Sequence, residues 1–187
     1  MRTRLTTGFC LCICCVLCLC ACVSPANRHG TLAPPLKIAL AALGEHMVEQ
    51  QLVMRWPGGE RAMDAILEIA GGRLRLVMLA FGMRITSLEY DGKELAEQRF
   101  VPHAPDGARI LNDLLLIAAP LEDLRRALPP GTSVSEAREN GRMRREIVMD
   151  GATLAVIDYE TESPWKGKVT FAHLAIGYEL ILESHEI

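Results

Sequence analysis

The chain has 187 residues, a formal net charge of −3, and a hydrophobic share of 50% with only 5% aromatics. That length predicts one domain with an aliphatic interior, and a mildly acidic chain without a basic cluster excludes nucleic acid as a partner. All seven cysteines lie at or before Cys22, which excludes a disulfide framework or a cysteine-based zinc site in the rest of the chain.

Residues 1–4, Met1-Arg2-Thr3-Arg4, carry two positive charges and no acid. An apolar run over residues 8–21 follows. It is short of the roughly 20 apolar residues that span a bilayer, and a basic start before a short apolar stretch marks an export signal. Cysteine serves in that run as a small hydrophobe. The run ends in Leu19-Cys20-Ala21-Cys22, which resembles the lipobox of bacterial lipoproteins. The resemblance implies removal of residues 1–21, acylation of Cys22 and a membrane anchor of two or more acyl chains, enough for stable attachment. It implies an outer-membrane protein facing the periplasm, since Val23 rather than Asp follows the cysteine. An ordinary cleavable signal and an uncleaved N-terminal helix are the alternatives.

Residues 22–33 read as a polar tether. Pro34-Pro35 predicts a helix over residues 36–43, closed by Gly44. The period then changes to two. Val48, Gln50, Leu52, Met54 and Trp56 alternate with Glu49, Gln51, Val53 and Arg55, and Pro57-Gly58-Gly59 turns the chain. Alternation resumes through Met63, Ala65, Leu67 and Ile69, then after Gly71-Gly72 through Leu74, Leu76 and Met78. Strands over residues 83–90 and 93–100 follow, separated by Asp91-Gly92.

Pro102 and Pro105 interrupt the strands, and Asp106 is placed to cap a helix starting near Gly107. Its body, residues 108–119, carries Ile110, Leu111, Leu114, Leu115, Leu116 and Ile117. Being apolar nearly all round, it must be buried. Pro120 begins a second helix with Leu121, Leu124 and Leu128 on one face, acids first and arginines last, as the helix dipole favours. After Pro129-Pro130-Gly131 come strands over residues 133–138, 142–149, 152–160, 166–174 and 178–184.

About ten strands in series predict an α+β, mainly β fold. It is one large curved antiparallel sheet, a half-barrel, with two or three helices covering its concave face. The stretches "MRITSLEYDGKEL", "ILNDLLLIAAPLEDLRRALPPG" and "VIDYETESPWKGKVTFAHLAIGYELILES" resemble a family of uncharacterised bacterial lipoproteins often encoded with aryl-polyene lipid biosynthesis genes. The resemblance covers residues 45–185. Ala119-Pro120 departs from the aromatic-Pro pair that often ends the middle helix in that family. The family in turn resembles the lipoprotein-localisation factors of the LolA and LolB type. That second resemblance implies a lipid-binding domain over residues 34–187 whose apolar cavity takes an acyl chain, a lipoprotein or an aryl-polyene lipid.

No catalytic motif appears: there is no H-E-x-x-H, G-x-S-x-G or Gly-rich phosphate loop. The histidines His29, His46, His103, His173 and His185 are scattered, and His173 alternates in phase with Val169 and Phe171 as an inward, satisfied residue. Asp158, Glu160 and Glu162 read as solvated charges. No enzyme activity, cofactor or metal is expected.

The expected cavity lining is Met54, Met63, Leu67, Leu76, Met78, Leu111, Leu115, Met143, Arg145 and Met149, methionine being suited to varied apolar shapes. Arg145 shares a phase with Met143, Ile147 and Met149. Two readings stand: an inward cation that needs a partner such as a lipid headgroup or a carbonyl, or an exposed one beside Glu136 or Glu139. Phe81, in Ala80-Phe81-Gly82, is either a membrane-contact tip or tucked under a neighbouring strand. The expected partners are membrane lipid through Cys22, a lipidic cargo or lipoprotein, and a periplasmic carrier, with the chain itself a monomer. The alternative is a structural or assembly lipoprotein that docks a protein partner and has no ligand cavity.

Overall fold

The computed structural model describes residues 35–102 and 104–187. Cys22, the lipobox, the tether over residues 22–33 and His103 lie outside the described residues. Ten strands and two α-helices follow the expected order. The first five strands are β1 (His46–Trp56), β2 (Gly59–Ala70), β3 (Arg73–Ala80), β4 (Met83–Tyr90) and β5 (Leu95–Arg99). Two helices come next, α1 (Gly107–Ala118) and α2 (Leu121–Ala127). The remaining strands are β6 (Thr132–Glu139), β7 (Arg142–Met149), β8 (Ala152–Tyr159), β9 (Gly167–His173) and β10 (Tyr178–Glu186).

All ten strands form one sheet in the order β5-β4-β3-β2-β1-β10-β9-β8-β7-β6. Each half is a meander, and the halves join where β1 pairs antiparallel with β10, Leu52 opposite Leu182 and Met54 opposite Leu180. The sheet is open, with β5 and β6 at its edges, and the helices carry the chain from one edge to the other.

Side-chain alternation sets which face is buried. One row of directly opposed residues runs Met54, Leu180, Phe171, Ile157, Arg145 and Glu136 across six strands. A second runs Leu52, Leu182, Val169, Tyr159 and Met143. Arg145 therefore lies on the inner face with Ile157 and Phe171, and only 6% of it is exposed.

Helix α1 forms where expected. The Asp106 carboxylate accepts a hydrogen bond from the Ala108 N–H at 2.8 Å, and extended backbone at Ala119, ahead of Pro120, ends the helix. Leu111 and Leu115 are fully buried, each worth roughly 1.5–3 kcal/mol of transfer free energy.

The helix expected over residues 36–43 does not form. Residues 35–39 are extended, and a short 3-10 turn spans Leu40–Leu43. The burial pattern gives the reason: Leu36, Ile38 and Leu40 are buried while Lys37 and Ala39 are exposed, a period of two rather than 3.6. The Leu36 N–H donates to Asn112 Oδ1 on α1 at 2.8 Å, and the Tyr90 hydroxyl donates to the Leu36 carbonyl at 3.4 Å. The two-or-three-helix expectation thus resolves to two α-helices and an extended strap.

Candidate functional site

The inner face and α1 enclose an apolar cleft with about 60 Å³ of free space. Strands β1, β2, β3 and β10 supply Leu52, Met54, Met63, Leu76, Met78, Leu180 and Leu182. Helix α1 supplies Arg109, Ile110, Asp113, Leu114 and Ile117, and Pro105 precedes it. Most of these side chains are buried; the exposed or half-buried members are Met54, Pro105, Arg109 and Ile110. They define the mouth, which opens at the end of the sheet carrying the β1–β2, β3–β4 and β9–β10 turns.

The same end carries six of the nine exposed large apolar side chains among the described residues, Trp56, Phe81, Met83, Phe100, Leu174 and Ile176, while Met47, Ile66 and Ile187 lie elsewhere. Phe81 is 93% exposed. It also sits at φ 52° in the two-residue turn with Gly82. The turns at Asn140-Gly141 and Asp150-Gly151 place Asn and Asp at the same φ, residue types that tolerate this region, whereas a bulky side chain there is an outlier. Neither local backbone preference nor packing accounts for an aromatic at that tip. At the opposite end the strap over residues 35–43 is packed into the core through Leu36, Ile38, Leu40 and Leu43.

Besides Gln50, whose amide donates to the Ser184 hydroxyl at 3.0 Å, one polar cluster breaks the apolar lining. Asp113 is buried, and the Tyr178 hydroxyl donates to its Oδ2. Burial pushes the Asp113 carboxyl up to about 7, against the opposing pull of the Tyr178 hydrogen bond and the Arg109 charge. Burial and then the Asp113 charge push the Tyr178 hydroxyl above its usual range. His173 stacks on Tyr178 with ring centroids 5.2 Å apart and meets Phe171 edge-on at 6.0 Å. Burial, then the Arg109 charge, brings its pKa down to about 4. His173 is inward as expected but not satisfied: its Nδ1 has no hydrogen-bond partner among the described residues. Because the imidazole stacks on Tyr178 and makes no hydrogen bond to Asp113, the three do not form a proton relay.

A second pocket, of about 260 Å³, lies at the α1–α2 joint and is lined in part by Pro120, Glu136, Met143, Arg145 and Tyr159. Arg145 reaches across it to the end of α1. Its Nη1 donates to the Leu116 carbonyl at 2.5 Å and to the Ile117 carbonyl at 3.2 Å. Its Nε and Nη2 donate to Glu136 Oε1 at 2.9 and 2.6 Å. The Tyr159 hydroxyl donates to the Ile117 carbonyl at 2.7 Å. These carbonyls end a helix and need partners, and a cation there suits the helix dipole. Arg145 combines both readings of the sequence: inward, yet paired with Glu136.

The structure therefore brings Met54, Met63, Leu76 and Met78 together around the cleft and puts Met143 and Arg145 in the other pocket. Leu67, Leu111 and Leu115 are fully enclosed in the core and line neither space. Met149 is half-buried against the core, also lining neither. Asp113, Tyr178 and Arg109 were not legible as a set. The available signal was Asn112-Asp113, two adjacent polar residues inside an otherwise leucine-rich helix. Among the described residues no group of histidine, cysteine, aspartate or glutamate side chains is arranged to hold a metal ion. No described helix is long and apolar enough to cross a membrane.

These features define a class: an open ten-stranded antiparallel sheet whose inner face and one buried helix bound a small methionine-rich cleft. Within it, the chain belongs to the family described as "Protein of unknown function (DUF3261)", whose model matches residues 47–186. No curated protein matches the chain. Among solved structures it is similar to a DUF1329 family protein from Desulfovibrio piger ATCC 29098, with 9% identity, coverage of 78% of this chain and 87% of that one, and a TM-score of 0.28.

Proposed function

We propose that this chain is a non-enzymatic lipid handler. It is anchored through acylated Cys22 to the periplasmic side of the outer membrane, and it takes an acyl or polyene chain into the cleft beneath α1. The observation that carries the reading is one of placement. The cleft's mouth and the exposed Trp56, Phe81, Met83, Phe100, Leu174 and Ile176 share one end of the sheet. Exposed apolar side chains gathered at one end are what a membrane-contacting rim requires, and they set the mouth against the lipid from which a tail would enter.

The path of α1 supports a half-barrel shape, which suits the same reading. Helix α1 has 12 residues and is about 18 Å long. Its first residue, Gly107, donates its N–H to Glu97 on β5 at 3.1 Å, and its end meets Arg145 on β7. Eight strand spacings separate β5 from β7 in the sheet order, about 38 Å if flat. The difference exceeds what the Glu97 and Arg145 side chains span, which supports a sheet that curls over the helix.

The free space, about 60 Å³, seats a few small groups and no whole hydrocarbon tail. A longer tail enters by displacement: Met54, Met63 and Met78 are flexible side chains that swing aside at small cost. Transfer needs no covalent step. Cargo moves toward whichever cavity buries its chain better, at about 0.8 kcal/mol per methylene.

The small free volume favours a second reading, an assembly lipoprotein that docks a protein partner and keeps its core filled. Native mass spectrometry of the chain from Val23 onward, mixed with a bacterial lipid extract, separates the two. The lipid handler retains adducts of lipid mass that survive desalting; bare protein throughout leaves the docking reading.

A further inference from the structure

The cleft has one charged residue at its mouth, on a helix start that does not favour its charge. Arg109 lies in the first turn of α1, where the positive end of the helix dipole disfavours a cation. That turn contains no acidic residue. Several other exposed arginines are paired with carboxylates, Arg73 with Glu89, Arg75 with Glu68 and Arg126 with Asp123, while Arg61 and Arg142 stand unpaired outside the cleft lining. Arg109 makes no ion pair or hydrogen bond among the described residues. Its natural helical partner, Asp113 at i+4, is buried and already engaged by the Tyr178 hydroxyl. Asp113 is also the only acidic residue in the cleft lining. An exposed guanidinium with no ion pair of its own is thus left at the mouth of a largely apolar slot.

A wholly apolar ligand would gain nothing from that charge and would have to pass it. A ligand with an anionic head and an apolar tail complements both parts, since guanidinium pairs well with carboxylate or phosphate oxygens. The slot's narrowness selects one tail over two. We propose that Arg109 is the headgroup-recognising residue of the cleft. The cargo would be a single-chain anionic amphiphile whose carboxylate or phosphate lies against Arg109 while its tail enters among Met54, Met63 and Met78. This inference rests on the lipid-handling reading and names the substrate class for it.

The test uses the full chain reconstituted into phosphatidylcholine liposomes at mildly alkaline pH. Three photoreactive alkynyl probes share one hexadecyl-length tail and differ in the head: a carboxylic acid, a phosphate monoester and a primary alcohol. Crosslinks are mapped to cleft peptides by mass spectrometry. The expected result is labelling by the acid, the phosphate or both at roughly fivefold the level of the alcohol, the worth of a half-exposed charged pair of about 1 kcal/mol. Which anion wins identifies the source of the headgroup. The preference disappears in Arg109→Gln, persists in Arg109→Lys, and is unchanged in Arg142→Gln, an exposed arginine at the opposite end of the sheet. Equal labelling by the alcohol, or a preference that survives Arg109→Gln, overturns the headgroup assignment and leaves the lipid-handling reading standing. No cleft labelling by any probe overturns both.

Discussion

Arg145→Met tests whether the buried guanidinium holds the α1–α2 joint in place. The substitution removes the Glu136 ion pair and the hydrogen bonds to the Leu116 and Ile117 carbonyls. Breaking a buried pair costs about 3–5 kcal/mol, because the remaining charge is stranded. The Glu136 side chain keeps 21% of its surface exposed and borders a pocket roomy enough for several waters, which places the cost near the lower end, about 3 kcal/mol. Adding Glu136→Leu removes the stranded carboxylate. The Ile117 carbonyl still has the Tyr159 hydroxyl, so the main residual penalty is one orphaned carbonyl at Leu116, about 1–2 kcal/mol. The double variant is therefore more stable than Arg145→Met alone, by about 1–2 kcal/mol. Urea unfolding followed by tryptophan fluorescence reads this, since Trp165 is buried and its ring lies 4.7 Å from that of His46. An Arg145→Met cost under about 1 kcal/mol, or a double variant less stable than the single, refutes the reasoning.

Stability against pH follows from two opposed shifts. Asp113, with its pKa raised to about 7, holds its proton in the folded chain where the unfolded chain has lost it, so its contribution falls as pH rises from about 4 to about 7. His173, lowered to about 4, stays neutral while the unfolded chain takes up a proton, so its contribution is lost as pH falls from about 6.5 to about 4. Wild type is thus comparatively flat over that window. His173→Phe exposes a decline with rising pH and Asp113→Asn a rise, each limited to about 1.4 kcal/mol per pH unit, in urea midpoints taken at several pH values. Phe81→Gly relieves the positive-φ strain and stabilises the chain by about 1 kcal/mol while lowering its partition onto vesicles in flotation. A loss of stability instead would show the ring packed rather than exposed. Gly107→Ala places a Cβ 2.7 Å from Leu88 Cδ2 and 2.8 Å from Glu97 Cδ, so the buried Leu88, the Glu97 carboxylate that holds the Gly107 N–H, or the start of α1 itself must shift. The expected cost is about 1–2 kcal/mol, with faster hydrogen exchange in the first turn of α1.

What the sequence by itself determined is local. Alternation between residues i and i+2, broken by Gly71-Gly72, Asp91-Gly92, Gly141 and Asp150-Gly151, marks the strands and hairpins, because a strand's two faces and a tight turn's φ are properties of neighbouring residues. Asp106 and Pro120 bracket α1 for the same reason. Where local signals competed, the reading failed: Pro34-Pro35 suggested a helix, while the alternating Leu36, Ile38 and Leu40 formed the strap seen beside Asn112 and Tyr90.

Tertiary structure decided whatever depends on distant residues meeting. The β1–β10 pairing brings together residues more than a hundred positions apart, and no local pattern encodes it. The same pairing places Tyr178 under α1 to meet Asp113. The β6–β7 and β7–β8 hairpins align Arg145 with Glu136 and Ile157, and the end of α1 lying over that row is what ends the ambiguity there. Met54, Met63, Leu76 and Met78 border the cleft while Leu67, Leu111 and Leu115 are enclosed in the core. An apolar residue at the right phase is bound to face inward. Whether it fills the interior or lines a space depends on what comes to cover it, and that is set by the path of α1 and the strap across the sheet.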